Sequence, residues 1–139
     1  MSKENGGTRK YNMADALDKL IVDESASIDT NLLASLVSNY LKFTKEGEII
    51  FEKDFYKLKD CRKILIYLLG RKIVFIKKLK QDFKEEVAPS EIEDQIGIPS
   101  KSITKYSSVE LKGIIKSEKG KYRIPNFNLL KAEEFLKKK

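Results

Sequence analysis

The first apolar positions of the chain, Met13, Leu17, Leu20 and Ile21, recur at steps of three and four and predict an amphipathic helix over residues 12–22. The polar run from Asp23 to Ser27 interrupts it. Asp29 or Thr30 then caps a second helix in which Leu32, Leu33, Leu36, Val37, Tyr40 and Leu41 share a face, ending near Lys45-Glu46-Gly47. The short β-branched segment Glu48 to Glu52 is either a strand or the lead into the next helix. From Asp54 to Leu69 the spacing is helical again, and Ile64 to Leu69 is apolar almost all round, which predicts the centre of the core. A break is expected near Gly70, after which Ile73, Ile76, Leu79, Phe83 and Val87 form a further helical stripe. A last helix covers Asn128 to Leu136. The stripes of the N-terminal helices and of this last one either pack on the core or form a homodimer.

Composition narrows the chemistry. The 139 residues contain no His and one Cys, so the Ser-His nucleophile, the commonest metal ligand and an internal disulfide are all missing. Cys61 reads as a half-buried helix residue, and the chain as a cytoplasmic protein without a cofactor. No run approaches the ~18 apolar residues of a membrane span. The carboxylates at 82, 85, 86, 91, 93 and 94 scatter around a helix end as solubilising charge, so no metal site and no enzyme is expected.

Charge is unevenly spread. Residues 1–50 hold 6 basic and 8 acidic side chains; 53–80 hold 10 and 2, 81–97 hold 1 and 6, and 98–139 hold 11 and 4. Two basic blocks therefore flank an acidic one, a pattern that suggests a polyanionic partner.

Residues 88–125 carry the most specific local signals. Ser90 with Glu93 reads as a capping box after Pro89, and the short helix it starts buries Ile92 and Ile96. Gly97 supplies a tight turn, Ile98 plugs the angle between two helices, and Pro99-Ser100 opens the next one. With Ile103 inward, Tyr106, Ser107 and Glu110 fall within about 60° of it, while Lys101, Lys105, Ser108 and Lys112 fall opposite. Apolar runs on either side of Ser117-Glu118-Lys119-Gly120 then predict a β-hairpin with a basic tip.

This segment resembles the winged helix-turn-helix superfamily. Glu91-Ile92 with Ile96-Gly97-Ile98-Pro99 match its helix-turn, Ser102-Ile103-Thr104-Lys105-Tyr106 its recognition helix, Lys112-Gly113-Ile114-Ile115-Lys116 its following strand, and Gly120 to Pro125 the return of its wing. The likeness covers roughly 70–125, with 71–86 as the first helix. Ser107-Ser108 depart from the family's usual Leu, which predicts that the recognition helix ends early with Val109-Glu110-Leu111 extended.

The expected fold is mainly α with a small β-hairpin (α+β), a winged helix-turn-helix with additional N-terminal helices and a C-terminal helix. Residues 1–11 are expected as a disordered tail, 12–69 as a helical N-terminal part, 70–127 as the winged helix and 128–139 as the C-terminal helix. By resemblance the chain is a double-stranded DNA-binding protein, sequence-specific or general, acting as a transcriptional regulator. Its recognition helix, about 99–108, would enter the major groove, with the wing at 117–123 on the backbone. Carried over by position, Ser100, Lys101, Ser102, Thr104, Lys105 and Ser108 are groove contacts, and Lys119, Lys121 and Arg123 wing contacts. The alternative is a winged-helix interaction subunit of a replication, transcription or plasmid-maintenance complex, binding a protein partner through its N-terminal helices.

Overall fold

The computed structural model describes residues 16–20 and 28–138. Of the first predicted helix only Ala16–Leu20 is described, as a 3-10 helix rather than an α-helix; Met13, Ile21 and the 1–11 tail lie outside the described residues.

Asp29 caps α1 (Thr30–Val37), its carboxylate accepting from the Leu32 N–H at 2.9 Å. The helix stops at Val37, well short of the expected end near Gly47. Leu41–Phe43 (β1) instead pairs antiparallel with Ile49–Phe51 (β2), Leu41 opposite Phe51 and Phe43 opposite Ile49. Tyr40 and Leu41 fit a helical spacing, but their neighbours also alternate, and a partner strand of Ile and Phe decides for the hairpin. Thr44 closes its loop by accepting the Glu48 N–H at 3.0 Å. The described residues thus hold two small hairpins among their helices, a mixed α+β architecture.

Residues Lys53–Lys57 form a 3-10 turn that buries Phe55, and α2 follows as one helix over Asp60–Ile76. Gly70 does not break it. A Cβ there would sit 2.7 Å from Leu41 Cδ1, so glycine is what lets β1 cross the helix closely. Ile64 to Leu69 are buried on every side, each worth about 1.5–3 kcal/mol of transfer free energy. The helical stripe expected as far as Val87 ends at Ile76, so the helix placed at 71–86 lies at 60–76. Lys78 and Asp82, with φ of 53° and 58°, turn the chain back. Val87 then makes an antiparallel bridge to Tyr122, with reciprocal hydrogen bonds of 3.0 and 2.8 Å.

Three elements follow in quick succession. Helix α3 (Pro89–Ile96) is capped at Ala88 without a side-chain bond, so the expected Ser90–Glu93 box is not formed. Gly97, at φ +77°, makes the turn into α4 (Ser100–Ser108). Lys116–Glu118 (β3) and Lys121–Arg123 (β4) pair through Lys119-Gly120, both at positive φ, the signature of a two-residue hairpin turn. After the 3-10 turn Asn126–Asn128, α5 (Leu129–Lys137) packs back. Leu33 and Val37 of α1 join Leu129 and Ala132 of α5 in one core with α2, Ile92, Ile98, Ile103 and Tyr122. The stripes of α1 and α5 are thus used inside the molecule. No described helix is long and apolar enough to cross a membrane.

Candidate nucleic-acid interface

Helix α4 is seated by Ile103, which is buried with Ile92 and Ile98. That seat turns Lys101, Thr104, Lys105 and Ser108 to the exposed side, as the helical spacing requires. Ser102 is half-buried at the edge of this face. Ser100 is engaged at the start of the helix, where its N–H and its hydroxyl both donate to Glu93 Oε1, at 2.9 and 2.7 Å. The hydroxyl first, and then the amide, hold the Glu93 carboxyl below the usual carboxylate range. Glu93 therefore caps the following helix across the turn instead of its own, and brings a negative charge to the positive end of α4. Ser108 lies on the last turn of α4, its hydroxyl donating to the carbonyls of Thr104 and Lys105 at 2.9 and 3.2 Å. Val109 to Leu111 form a turn rather than an extended run, with the Leu111 N–H on the Tyr106 carbonyl at 2.8 Å. Lys112 lies beyond the helix. Tyr106 is half-buried and Tyr122 buried, so both pack.

The cations of the β3–β4 hairpin stand together. Lys116 is opposite Arg123 and Glu118 opposite Lys121, so these four share one face of the hairpin, while Tyr122 points from the other face into the core. The segment before Val87 alternates in the same way: Lys84 exposed, Glu85 buried, Glu86 half-buried, Val87 buried. Lys84 and Glu86 consequently line one cleft of about 420 Å³ with Lys116, Glu118, Lys119, Lys121 and Arg123. Sequence reasoning found Lys119, Lys121 and Arg123 and missed Lys84 and Lys116. The signal for Lys84 was the period-two alternation from Lys84 to Val87, hidden by its agreement with a helical stripe, and that for Lys116 its pairing opposite Arg123.

The acidic block is dispersed. Glu85 turns inward onto Lys72, with an ion pair of 2.6 Å, and Lys72 Nζ also donates to Asn126 Oδ1 at 2.7 Å. Arg71 lies over the Phe83 ring at 4.5 Å and donates to the carbonyls of Lys84 and Glu85 at 2.6 and 3.1 Å. Burial pushes the Tyr67 hydroxyl above its usual pKa, against the opposing pull of Arg71. Glu91 and Asp94 face a second cleft of about 460 Å³ between α3 and the 80–86 segment, which also receives Glu48, Asp82 and Lys80. Elsewhere in the first basic block, Arg62 donates to the carbonyls of Leu136 and Lys138 at the end of α5, Lys80 pairs with Glu48 at 3.0 Å, and Lys57 with Asp54 at 3.4 Å.

Among the described residues no three His, Cys, Asp or Glu side chains gather as metal ligands. Set against protein-family models, curated proteins and solved structures, the chain matches none of them.

Proposed function

We propose that this chain is a double-stranded DNA-binding protein of winged helix-turn-helix type, acting as a transcriptional regulator. The observation that carries the reading is the exposed face of α4, where Lys101, Lys105 and Ser108 stand opposite the buried Ile103 with Thr104 exposed at its flank. Lysines donate to phosphates and to guanine edges, and hydroxyls to either, so this face has the chemistry of a major-groove reader. The order α2, α3, Gly97 turn, α4, hairpin, with Val87 bridged to the returning strand, supports it further. Glu85 is paired with Lys72 inside the core, which takes its charge out of the repulsion that the acidic block would otherwise present.

In this reading Lys101 and Lys105, on the helix that enters the groove, and Lys119, Lys121 and Arg123 on the hairpin each meet a phosphate. Five neutralised phosphates give a slope of log K against log salt of about −4 to −5. A salt titration of duplex binding, run beside Lys101→Ala/Lys105→Ala, tests this: equal binding by the two proteins, or none by either, overturns it. A second reading, an interaction subunit of a replication, transcription or plasmid-maintenance complex, draws on the exposed Ile50 and Tyr56 of the N-terminal part. Under it, Tyr56→Ala would abolish partner capture with duplex binding absent throughout.

A further inference from the structure

We propose that the outer face of the wing sheet is itself a cradle for a phosphodiester backbone, built by Lys84 and Lys116 together with Lys119, Lys121 and Arg123. The inference deepens the DNA-binding reading by adding a surface apart from α4 and wider than the wing tip.

Three observations carry it. The first is register. Lys116 faces Arg123 across the hairpin, and the Val87–Tyr122 bridge brings the strand-like segment bearing Lys84 alongside β4. The two strands and the segment bridged to them, at about 4.8 Å spacing, give a face about 10 Å wide, enough for about two neighbouring phosphates of one backbone. The second is anchoring. Arg71 holds the Lys84 and Glu85 carbonyls and Glu85 is locked on Lys72, so the backbone from which Lys84 projects is fixed before any ligand arrives. The third is charge. The wing cleft presents five cations against Glu86 and Glu118. In the adjoining cleft, which shares Lys84, Glu86 and Lys121, four cations meet five carboxylates. A polyanion lying on the wing face is therefore attracted as far as Lys84 and repelled beyond it, which sets where the backbone track ends.

The chemistry recognised is a row of phosphates, from a nucleic-acid backbone or from a soluble polyphosphate. Anisotropy of a labelled duplex separates the sources when run against tripolyphosphate as a second ligand, with four proteins: wild type, Lys84→Ala/Lys116→Ala, Lys101→Ala/Lys105→Ala, and Glu86→Gln/Glu118→Gln. The expected result is duplex binding weakened roughly tenfold by Lys84→Ala/Lys116→Ala, with a salt slope smaller by about two. Glu86→Gln/Glu118→Gln is expected to bind more tightly than wild type, a gain that misfolding cannot produce. Loss of affinity in Lys101→Ala/Lys105→Ala with none in Lys84→Ala/Lys116→Ala overturns the cradle and leaves the α4 reading standing. Absence of duplex binding together with Lys84- and Lys116-dependent tripolyphosphate binding overturns the DNA reading and assigns the cradle to soluble polyphosphate. Absence of both overturns both.

Discussion

Residues 53–80 carry ten cations against two carboxylates and residues 98–139 eleven against four, yet the two sets meet different surroundings. In the first, Lys72 is wholly buried on Glu85, Arg71 is bonded to two carbonyls and stacked on Phe83 and Arg62 closes the end of α5, while Lys53, Lys57, Lys59, Lys77, Lys78 and Lys80 stand exposed. In the second, Lys101, Lys105, Lys119 and Lys121 stand exposed on α4 and the β3–β4 hairpin. A cation near carbonyls and carboxylates in low dielectric fixes a fold, whereas one surrounded by water keeps its field for a partner. Block charge along a chain cannot separate the two cases, because it does not record what each side chain meets.

The strongest way to break that contrast is at Lys72. Lys72→Met leaves Glu85 charged and buried, and is expected to cost about 3–5 kcal/mol, whereas Lys72→Met/Glu85→Leu should recover most of it. Urea midpoints measure both. An unchanged midpoint in the single variant would put Lys72 among the exposed lysines. Next comes Arg71→Ala, which removes the bonds to the Lys84 and Glu85 carbonyls and is expected to cost about 1.5–3 kcal/mol in the same assay. For the second basic set the signs reverse. Lys101→Ala/Lys105→Ala should leave stability within about 0.5 kcal/mol, while duplex affinity falls roughly tenfold or more and the salt slope shrinks by about two.

The smallest effect belongs to Glu93. Its folded carboxyl lies below its unfolded value, so its contribution is complete above the unfolded pKa and is lost as pH falls through the lower folded one. Thermal unfolding from neutral to acid pH should show a small loss in wild type that Ser100→Ala reduces, since the amide of residue 100 still donates to Glu93. Identical profiles would mean that the Glu93–Ser100 bonds do not govern this end of α4.

Local chemistry made the C-terminal half legible. Gly97 at positive φ, Ile92, Ile98 and Ile103 inward, the exposed lysines of α4 and the Lys119-Gly120 turn all follow from spacing and turn preference within a few residues. The N-terminal half was read less well, for reasons that lie far off in sequence. Gly70 looks like a break until Leu41, 29 residues earlier, is found against it. Tyr40 and Leu41 look helical until Ile49–Phe51 pairs beside them. Within the C-terminal half a local reading also failed: Glu93 looks like the cap of its own helix, but Ser100 offers two donors across the turn.

By itself the sequence determined that Ile64 to Leu69 and Ile92, Ile98 and Ile103 turn inward, where the α3–α4 turn and the turn of the second hairpin fall, and that no histidine or thiol pair is present for catalysis, since each depends on residue type and near neighbours alone. Only the tertiary structure decided which of the positive charges face water. That choice depends on whether a carboxylate or carbonyl from a distant part of the chain arrives beside each one, as Glu85 does for Lys72 and the end of α5 for Arg62.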